Sequence, residues 1–371
     1  MSSLIPQPRK FTAVDLFSGA GGFTLAAQNC GLSVLAAVES QHYACLTYEN
    51  NFIKNKQNPP LLFQEDIRSL KPESIVENLG LNAGELDILL GGPPCQGFSS
   101  HRINNAGVDD PRNELLLQYF RFVESFQPKA FIVENVPGML WERHEEFVEN
   151  FYELATNADY HVFDPIILNA KDYGIPQNRR RVFILGLSEP ATDALQWPPE
   201  QTHFAPNSRE VLEQDQPSWV TAGVVFNDPL KKGDPNDLHM NHTKELIKVF
   251  RSTPPNGGSR TESNRVLPCH QNGYKGHKDV YGRINPDQVG PTMTTGCFNP
   301  SKGRFLHPTE HHGITIRHAA RFQAFPDEFI FHGGITAEGA QVGNAVPIRL
   351  GEQVIGVVED YLRILEEQCD T

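Results

Sequence analysis

The stretch DLFSGAGGF, residues 15–23, follows a short apolar run that begins at Thr12 and opens into a helical pattern. Its glycines form a turn in which backbone N–H groups can approach a ligand closely at the start of a helix. Glu39 stands twenty residues after Gly19, at the end of the next apolar run, where a carboxylate can accept hydrogen bonds from a ribose diol. The third glycine of the dinucleotide-binding pattern is replaced by Thr24, which disfavours a nicotinamide cofactor. The spacing therefore predicts a site for a nucleoside-containing cofactor, with a purely structural glycine turn as the alternative.

Short apolar, β-branched runs alternate with helical patterns through the first half of the chain. This alternation predicts an α/β fold with a parallel sheet covered by helices on both faces. The predicted strands are residues 12–17, 34–39, 61–66, 87–90 and 130–134, two predicted helices are residues 113–125 and 142–155, and two closing strands are residues 161–168 and 181–187.

Regular alternation stops after the second closing strand. Residues 189–307 are rich in Pro, Gly, Asn and His and have few long apolar periods, which predicts a smaller, irregular second domain. Residues 348–367 carry an apolar helical stripe that requires a core. We therefore predict a first domain over residues 1–188 and a C-terminal segment, residues 308–371, that returns to it.

The composition is that of a globular protein, because 371 residues with 39% hydrophobic content can form an ample core. No apolar stretch reaches the roughly 20 residues that a membrane-spanning helix needs, and residues 1–10 lack the apolar centre of a signal peptide. Six cysteines lie far apart without a C-x-x-C pair, which disfavours a zinc site and a secreted disulfide framework. We therefore expect a cytoplasmic protein that does not bind membranes.

The charge is unevenly distributed along the chain. The formal net charge is −13, which argues against a surface that binds polyanions everywhere. Residues 255–321 nevertheless carry nine Lys or Arg against four Asp or Glu, a local excess of +5, with six histidines besides. This segment predicts one face that can meet a phosphate backbone, and a solvated surface without function is the alternative.

Reactive side chains are predicted at one edge of the sheet. The fourth strand runs into GGPPCQGFS, residues 91–99, which places Cys95 just past the carboxyl end of a strand. A cysteine in a proline-rich turn is a candidate nucleophile, with an inert buried thiol as the alternative. The next strand ends at Glu134, and Arg179 and Arg181 share one face of an incoming strand.

In their order along nearly the full chain, these motifs resemble the single-chain bacterial DNA (cytosine-5)-methyltransferases. The motifs that carry the resemblance are residues 15–23, Pro94-Cys95-Gln96, Glu134-Asn135-Val136, Gln177-x-Arg179-x-Arg181, residues 317–327 and Gln341-x-Gly343-Asn344. The resemblance implies a Rossmann-like catalytic domain and a target-recognition domain at residues 189–307. It also implies S-adenosylmethionine as cofactor and S-adenosylhomocysteine as product. The implied partner is double-stranded DNA in the bacterial cytoplasm or nucleoid. The implied context is a restriction-modification system, in which a companion endonuclease would act separately.

The resemblance also implies a role for each matching residue. Cys95 would add to carbon 6 of a flipped-out cytosine, Glu134 would stabilise a protonated ring N3, Arg181 would hold O2, and Arg179 would fix nearby backbone. The cofactor residues are Phe17 on the adenine ring, Gly19, Ala20, Gly21 and Gly22 at the methionine end, Glu39 on the ribose, Asp66 on the adenine amino group, and Asn344, which completes the pocket. The candidate mobile loop is residues 96–113. For Asp66, the alternative to binding the adenine is a role as a helix N-cap.

Two features around the boundary between the recognition region and the C-terminal segment do not fit a simple assignment. Where many relatives have Arg-Glu, this chain has Arg317-His318, which puts a local ion pair in question. The histidines His307, His311 and His312 lack a thiol or carboxylate at ligand spacing, so we predict no metal site. Candidate DNA-contacting residues are Arg260, Arg265, Lys275, Lys278 and Arg283.

Three other functions remain open from the sequence. A transfer RNA cytosine-5 methyltransferase would use the same nucleophile and cofactor. A catalytically silent binding protein of the same fold would not need Cys95, Glu134 and Arg181 together. A cysteine hydrolase that pairs Cys95 with His101 leaves the Glu134 and Arg181 motifs without a purpose.

Overall fold

A computed structural model of the chain describes residues 9–94, 114–264 and 279–369. Its centre is one eight-stranded sheet, and the order along the sheet is β3, β2, β1, β4, β5, β8, β6, with β7 also paired to β8. The strands are β1 Thr12–Leu16, β2 Ser33–Val38, β3 Leu61–Phe63, β4 Ile88–Gly91, β5 Ala130–Asn135, β6 His161–Val162, β7 Ile166–Asn169 and β8 Arg180–Leu187.

The first five strands are parallel, as predicted. β1 pairs with β2 and β4, β2 with β3, and β4 with β5, whereas β8 runs antiparallel to β5, β6 and β7. The carboxyl ends of the five parallel strands therefore lie on one side of the sheet, which we call the carboxyl edge. The strand order reverses between β1 and β4, which is where open α/β sheets form a ligand-binding crevice.

One strand prediction was wrong in part. Residues 161–168 were predicted as a single strand, but the structure has two short strands, β6 and β7, that pair with different ends of β8. Pro165 lies between them and has no N–H for a sheet ladder, which explains the interruption.

Helices cover both faces of the sheet, which confirms the α/β class. They are α1 Gly22–Asn29, α2 His42–Tyr48, α3 Pro72–Leu79, α4 Glu114–Phe126, α5 Glu145–Asn157, α6 Arg209–Gln214, α7 Gly223–Asn227, α8 Lys244–Ser252, α9 Ile316–Phe322, α10 Gly334–Asn344 and α11 Ile348–Cys369. Alternate residues of β1 enter different apolar clusters: Ala13 packs in the cluster that contains α1 and α11, and Val14 in the cluster that contains α3 and α4. Each face of the sheet therefore has its own core.

The irregular region and the C-terminal helix contribute to the first of these clusters. Val225, Ile284 and Phe305 are buried in it together with residues of β1 and α1. α11 packs against α1 so closely that a Cβ at Gly351 would lie 2.8 Å from the Cβ of Ala26. Among the described residues, no helix is long and apolar enough to cross a membrane.

Candidate active site

The glycine turn after β1 has the backbone geometry that its sequence requires. Phe17, Gly19 and Gly21 all have positive φ angles, of 57°, 56° and 94°. A Cβ at Gly21 would lie 2.2 Å from the Phe52 ring, and one at Gly22 would lie 2.8 Å from the carbonyl oxygen of Val346. Because both positions exclude a side chain, the turn packs directly on Phe52, and the N-terminus of α1 packs on the segment that follows α10.

Glu39 ties this turn to the end of β2. One carboxylate oxygen accepts the N–H of Gly19 at 2.8 Å, and the other accepts the N–H groups of Ser40 and Gln41 at 2.8 and 2.6 Å. Burial raises the pKa of Glu39, and these backbone donors oppose that shift. The structure thus brings Glu39 to the glycine turn at the carboxyl edge.

A buried polar network under the turn was not found from the sequence. Asp15 accepts both the N–H and the hydroxyl of Thr24, at 3.0 and 2.7 Å, and the Thr24 hydroxyl lies 3.0 Å from the hydroxyl of Tyr48. Burial raises the pKa of Asp15 to about 7, against the hydrogen bonds from Thr24. The signal was present in the sequence: Thr24, used there only to disfavour a nicotinamide cofactor, is the residue that anchors α1 to β1.

The remaining cofactor candidates lie around the turn with different environments. Phe17 is half-buried, and Ser18 is buried with a hydroxyl that has no hydrogen-bond partner. Asn344 is exposed at the end of α10, although its neighbours Gly343 and Ala345 are buried. The backbone just past Asn344 reaches Gly22, since a Cβ there would lie 3.5 Å from the Cβ of Ala345.

Asp66 lies after β3, and its exposed carboxylate binds a residue two positions further along the chain. Its carboxylate accepts the backbone N–H of Arg68 at 3.0 Å and pairs with the guanidinium at 2.5 Å. The hydrogen bonds from Arg68 lower the pKa of Asp66 to about 2. The N-cap alternative for Asp66 was wrong, because the N-cap of α3 is Lys71.

A buried ion pair stands at the end of β5. Arg181 Nε lies 2.7 Å from Glu134 Oε1, and the side chains are only 12% and 9% exposed. Burial raises the pKa of Glu134, while the positive charges of Arg181 and Arg179 oppose the shift. A Cβ at Gly92 would lie 3.5 Å from the other oxygen of Glu134, so the turn after β4 touches this carboxyl group.

The Arg179 side chain binds backbone carbonyl oxygens. Its guanidinium is fully buried and donates to the carbonyl oxygens of Met293, Gly343 and Ala345 at 2.7, 2.7 and 3.0 Å. Two of these carbonyls flank Asn344. Arg179 therefore connects the start of β8, the irregular region and the cofactor side of the crevice.

Three strand ends meet at the carboxyl edge. Leu16 of β1 is level with Gly91 of β4, and Gly91 is level with Val133 of β5. The glycine turn after β1, the turn of Gly92, Pro93 and Pro94 after β4, which we call the proline turn, and Glu134 near the end of β5 thus lie at the ends of three adjacent strands. Cys95 and the candidate mobile loop, residues 96–113, lie outside the described residues, and the chain before them is described as far as Pro94.

Comparison with known proteins agrees with this arrangement. Residues 11–360 match the family C-5 cytosine-specific DNA methylase. The chain belongs to this family. Enzymes of the family transfer a methyl group from S-adenosylmethionine to DNA, and this DNA cytosine-5 methyltransferase shares their activity class.

Individual relatives cover nearly the whole methyltransferase. It is 30% identical over 357 residues to the type II methyltransferase M1.HphI of Haemophilus parahaemolyticus, with 94% of this chain and 86% of the relative covered. It is 32% identical to M.DdeI of Desulfomicrobium norvegicum, with 94% and 88% covered.

Solved structures show the same fold. A putative DNA modification methyltransferase encoded within an Escherichia coli prophage superimposes with a TM-score of 0.69 at 26% identity, covering 95% of this chain and 100% of the other. The Dnmt2 methyltransferase of Schizosaccharomyces pombe superimposes with a TM-score of 0.60 at 17% identity, covering 95% and 99%. The predicted family and fold class are therefore confirmed.

The basic segment of the methyltransferase is less available to DNA than its charge count suggested. Arg283 was a candidate DNA contact, but it is 1% exposed and donates to the carbonyl oxygens of Phe250, Thr253, His307 and Glu310. That prediction was wrong, because the guanidinium is used to hold backbone segments together. Arg260 and Arg317 are also buried, and Arg265, Lys275 and Lys278 lie outside the described residues.

The Arg317-His318 departure has a structural consequence. Arg317 pairs with Asp234 at 2.6 Å in a fully buried position. His318 replaces glutamate in a capping box at the start of α9, because its Nδ1 accepts from the N–H and hydroxyl of Thr315 at 3.4 and 3.1 Å. His307 and His312 stand beside it, and no group of metal-binding side chains has ligand geometry within the described ranges.

Proposed function

We propose that this methyltransferase methylates carbon 5 of a flipped-out cytosine in a specific duplex sequence, with Cys95 as nucleophile and Glu134, Arg181 and Arg179 as its partners. The observation that carries the proposal is the meeting of three strand ends at the carboxyl edge. There the turn that leads to Cys95 touches the Glu134 carboxyl group, and Arg181 pairs with that carboxyl at 2.7 Å. Cytosine chemistry requires a nucleophile, an acid and a cation within reach of one ring, and the closeness of this turn, Glu134 and Arg181 supports the proposal.

The cofactor site of the proposal is the crevice between β1 and β4. Phe17, the turn formed by Gly19, Ala20, Gly21 and Gly22, and Glu39 would hold S-adenosylmethionine, with Asp66 at the adenine and Asn344 at the other end. The buried hydroxyl of Ser18 supports the fit, because a buried polar atom without a partner leaves a hydrogen bond for a ligand. When bound, the cofactor supplies an electrophilic methyl group and leaves as S-adenosylhomocysteine.

The side chains divide the reaction between them. Carbon 5 of cytosine is a weak nucleophile, so the Cys95 thiolate first forms a bond to carbon 6 and shifts electron density to carbon 5. Glu134 shares a proton with ring N3, and its raised pKa favours a carboxyl group that can hold that proton. Arg181 donates to O2. After carbon 5 has taken the methyl group, its proton passes to water, the carbon–sulfur bond to Cys95 breaks, and the thiolate is restored.

Target recognition belongs to residues 189–307 in this proposal, with residues 1–188 as the catalytic domain and residues 308–371 returning to it. The cytosine must leave the base stack, at a cost of a few kcal/mol. Because the relatives M1.HphI and M.DdeI are named type II methyltransferases, we propose a restriction-modification role for this enzyme in a bacterial cytoplasm, with a separately acting endonuclease.

A trapping experiment tests the nucleophile. Duplex DNA with 5-fluorocytosine at its cytosines should form a covalent adduct in the presence of S-adenosylmethionine, because fluorine cannot leave carbon 5 as a proton does. We expect peptide mapping to place the adduct on Cys95, and Cys95→Ser to abolish it while S-adenosylhomocysteine still binds in calorimetry. An adduct on another residue would disprove the assignment of Cys95.

The substrate class is tested with the same protein. Labelled methyl transfer to duplex DNA and to transfer RNA should be measured side by side, and we expect label in DNA. Label in transfer RNA alone would overturn the DNA substrate, and no transfer from a protein that binds the cofactor would favour a silent relative.

A further inference from the structure

Asn135, the last residue of β5, has both ends of its side-chain amide engaged. Asn135 is only 2% exposed. Its Oδ1 accepts the N–H of Val136 at 2.8 Å, and its Nδ2 donates to the carbonyl oxygen of Pro93 at 3.3 Å. A backbone N–H can only donate and a carbonyl can only accept, so the orientation of the amide is determined by its neighbours.

The bond to Pro93 lies where the sheet ladder ends. The last paired residues of the two strands are Gly91 and Val133, which places Pro93 level with Asn135 two positions further on. Neither Pro93 nor Pro94 has a backbone N–H, so the turn cannot donate to β5 as a strand would. The Asn135 side chain takes the place of a ladder hydrogen bond between the strand that carries Glu134 and the turn that leads to Cys95.

The same turn passes close to Glu134, and Gly91 just before it packs tightly on Tyr119. A Cβ at Gly92 would lie 3.5 Å from Glu134 Oε2, and one at Gly91 would lie 2.5 Å from the Tyr119 ring. Backbone packing therefore allows the close approach, whereas the amide supplies a directional bond that selects one position of the turn.

We propose that Asn135 is a positioning residue that holds the proline turn against β5, so that the backbone leading to Cys95 keeps one position beside Glu134. This inference rests on the proposed function, in which Cys95 attacks the base. Asn135 does not touch the base, and it acts through the backbone of Pro93. Since a displacement of about 1 Å can reduce a rate by about 10²-fold, the loss of this bond should appear mainly in the chemical step.

The test uses two substitutions of Asn135 in the full chain. Asn135→Asp keeps the shape and the bond from Val136 but removes the donor to Pro93, and Asn135→Ala removes both bonds without adding a charge. The control is Asn78→Asp at an exposed position of α3 away from the carboxyl edge, which also removes a side-chain donor to a backbone carbonyl, that of Ser74 at 2.7 Å.

Kinetics, cofactor binding and a pH profile separate positioning from folding. We expect both Asn135 variants to lose about 10- to 100-fold in kcat and in the rate of adduct formation with 5-fluorocytosine DNA. We expect the KM for DNA and the affinity for S-adenosylhomocysteine to stay near the wild-type values. The pH profile of Cys95 alkylation should also change in both variants, which a purely structural residue would not cause.

The outcomes distinguish this inference from the proposed function. Wild-type rates in both Asn135 variants, or equal losses in Asn78→Asp, would overturn the role of Asn135. A loss of activity in Asn135→Asp alone would assign the effect to the added charge and would also overturn the role of Asn135. A loss of kcat matched by equal losses of cofactor affinity and thermal stability would overturn that role as well. Failure of the wild-type enzyme to form any adduct would instead overturn the proposed function.

Discussion

Two buried carboxyl groups at opposite edges of the sheet have opposite ionisation behaviour. Asp87 precedes β4 and accepts hydrogen bonds from the guanidinium of Arg9 at 2.6 and 2.9 Å and from the N–H and hydroxyl of Thr12, and it pairs with Lys129 at 2.9 Å. Burial opposes its ionisation, but these donors outweigh burial and lower the pKa of Asp87. Glu134, at the carboxyl edge, has a pKa that burial raises despite its pairing with Arg181.

Two cations and the donors of Thr12 around Asp87 outweigh its burial, whereas the charges of Arg181 and Arg179 do not outweigh the burial of Glu134. A carboxylate surrounded by donors is kept ionised and stabilises the fold, as Asp87 does where β1, β4 and β5 begin. A carboxyl group whose pKa is raised by burial holds a proton more readily than an exposed one, which suits a group that shares a proton with a ring nitrogen. The two edges of the sheet thus separate stability from chemistry.

The largest expected effect tests the chemical side of this comparison. Glu134→Gln keeps the size of the side chain and removes the acid, so we expect the single-turnover rate of DNA methylation to fall by about 10²- to 10⁴-fold. The affinity for S-adenosylhomocysteine, measured by calorimetry, should not change. A methylation rate equal to that of the wild type would show that Glu134 does not take part in the reaction.

The next effect tests the structural side. Asp87→Asn leaves the charges of Arg9 and Lys129 without their buried partner, and we expect the free energy of unfolding in urea to fall by about 2–3 kcal/mol. Because Asp87 lies at the edge away from the site, the activity per folded molecule should remain. Unchanged unfolding, or lost activity in a stable protein, would contradict the division between the two edges.

A smaller expected effect distinguishes the contribution of His318 to stability from that of Asp87, because the two are lost at different pH. Burial, together with the neighbouring His307, lowers the pKa of His318 to about 3, since its ring must stay neutral to accept from Thr315. A lowered histidine pKa means that its contribution to stability is complete above about pH 6.5 and is lost as the pH falls. Asp87, whose pKa is also lowered, loses its contribution only below about pH 4.

His318→Glu should therefore flatten the pH dependence of stability. The glutamate retains an acceptor for the capping box and places a negative charge at a helix N-terminus. We expect the variant to lose about 1–2 kcal/mol less stability than the wild type between pH 6.5 and pH 5, measured by urea unfolding at each pH. Parallel curves for the two proteins would show that His318 does not titrate on unfolding in this range.

Much of the sheet was predictable because its strands are short, apolar and separated by helical patterns. The five parallel strands and the two helices that follow β4 and β5 were found within a few residues. The errors arose where one residue overrides a pattern, as Pro165 does between β6 and β7. Arg283 was misjudged for a related reason: a charge count treats every arginine as solvated, whereas this one donates to carbonyls of segments far apart in the chain.

The amino-acid sequence alone determined the family, the α/β class and the identity of the candidate residues, because motif spacing and apolar periodicity are local properties of the chain. The tertiary structure decided which polar side chains are buried together: Asp15 with Thr24, Glu134 with Arg181, Arg179 with the backbone on both sides of Asn344, and Asn135 with Pro93. These contacts join segments that are 9 to 166 positions apart. Burial and hydrogen bonding act through space, so no reading of neighbouring residues could assign the protonation or the support role that each group has in the fold.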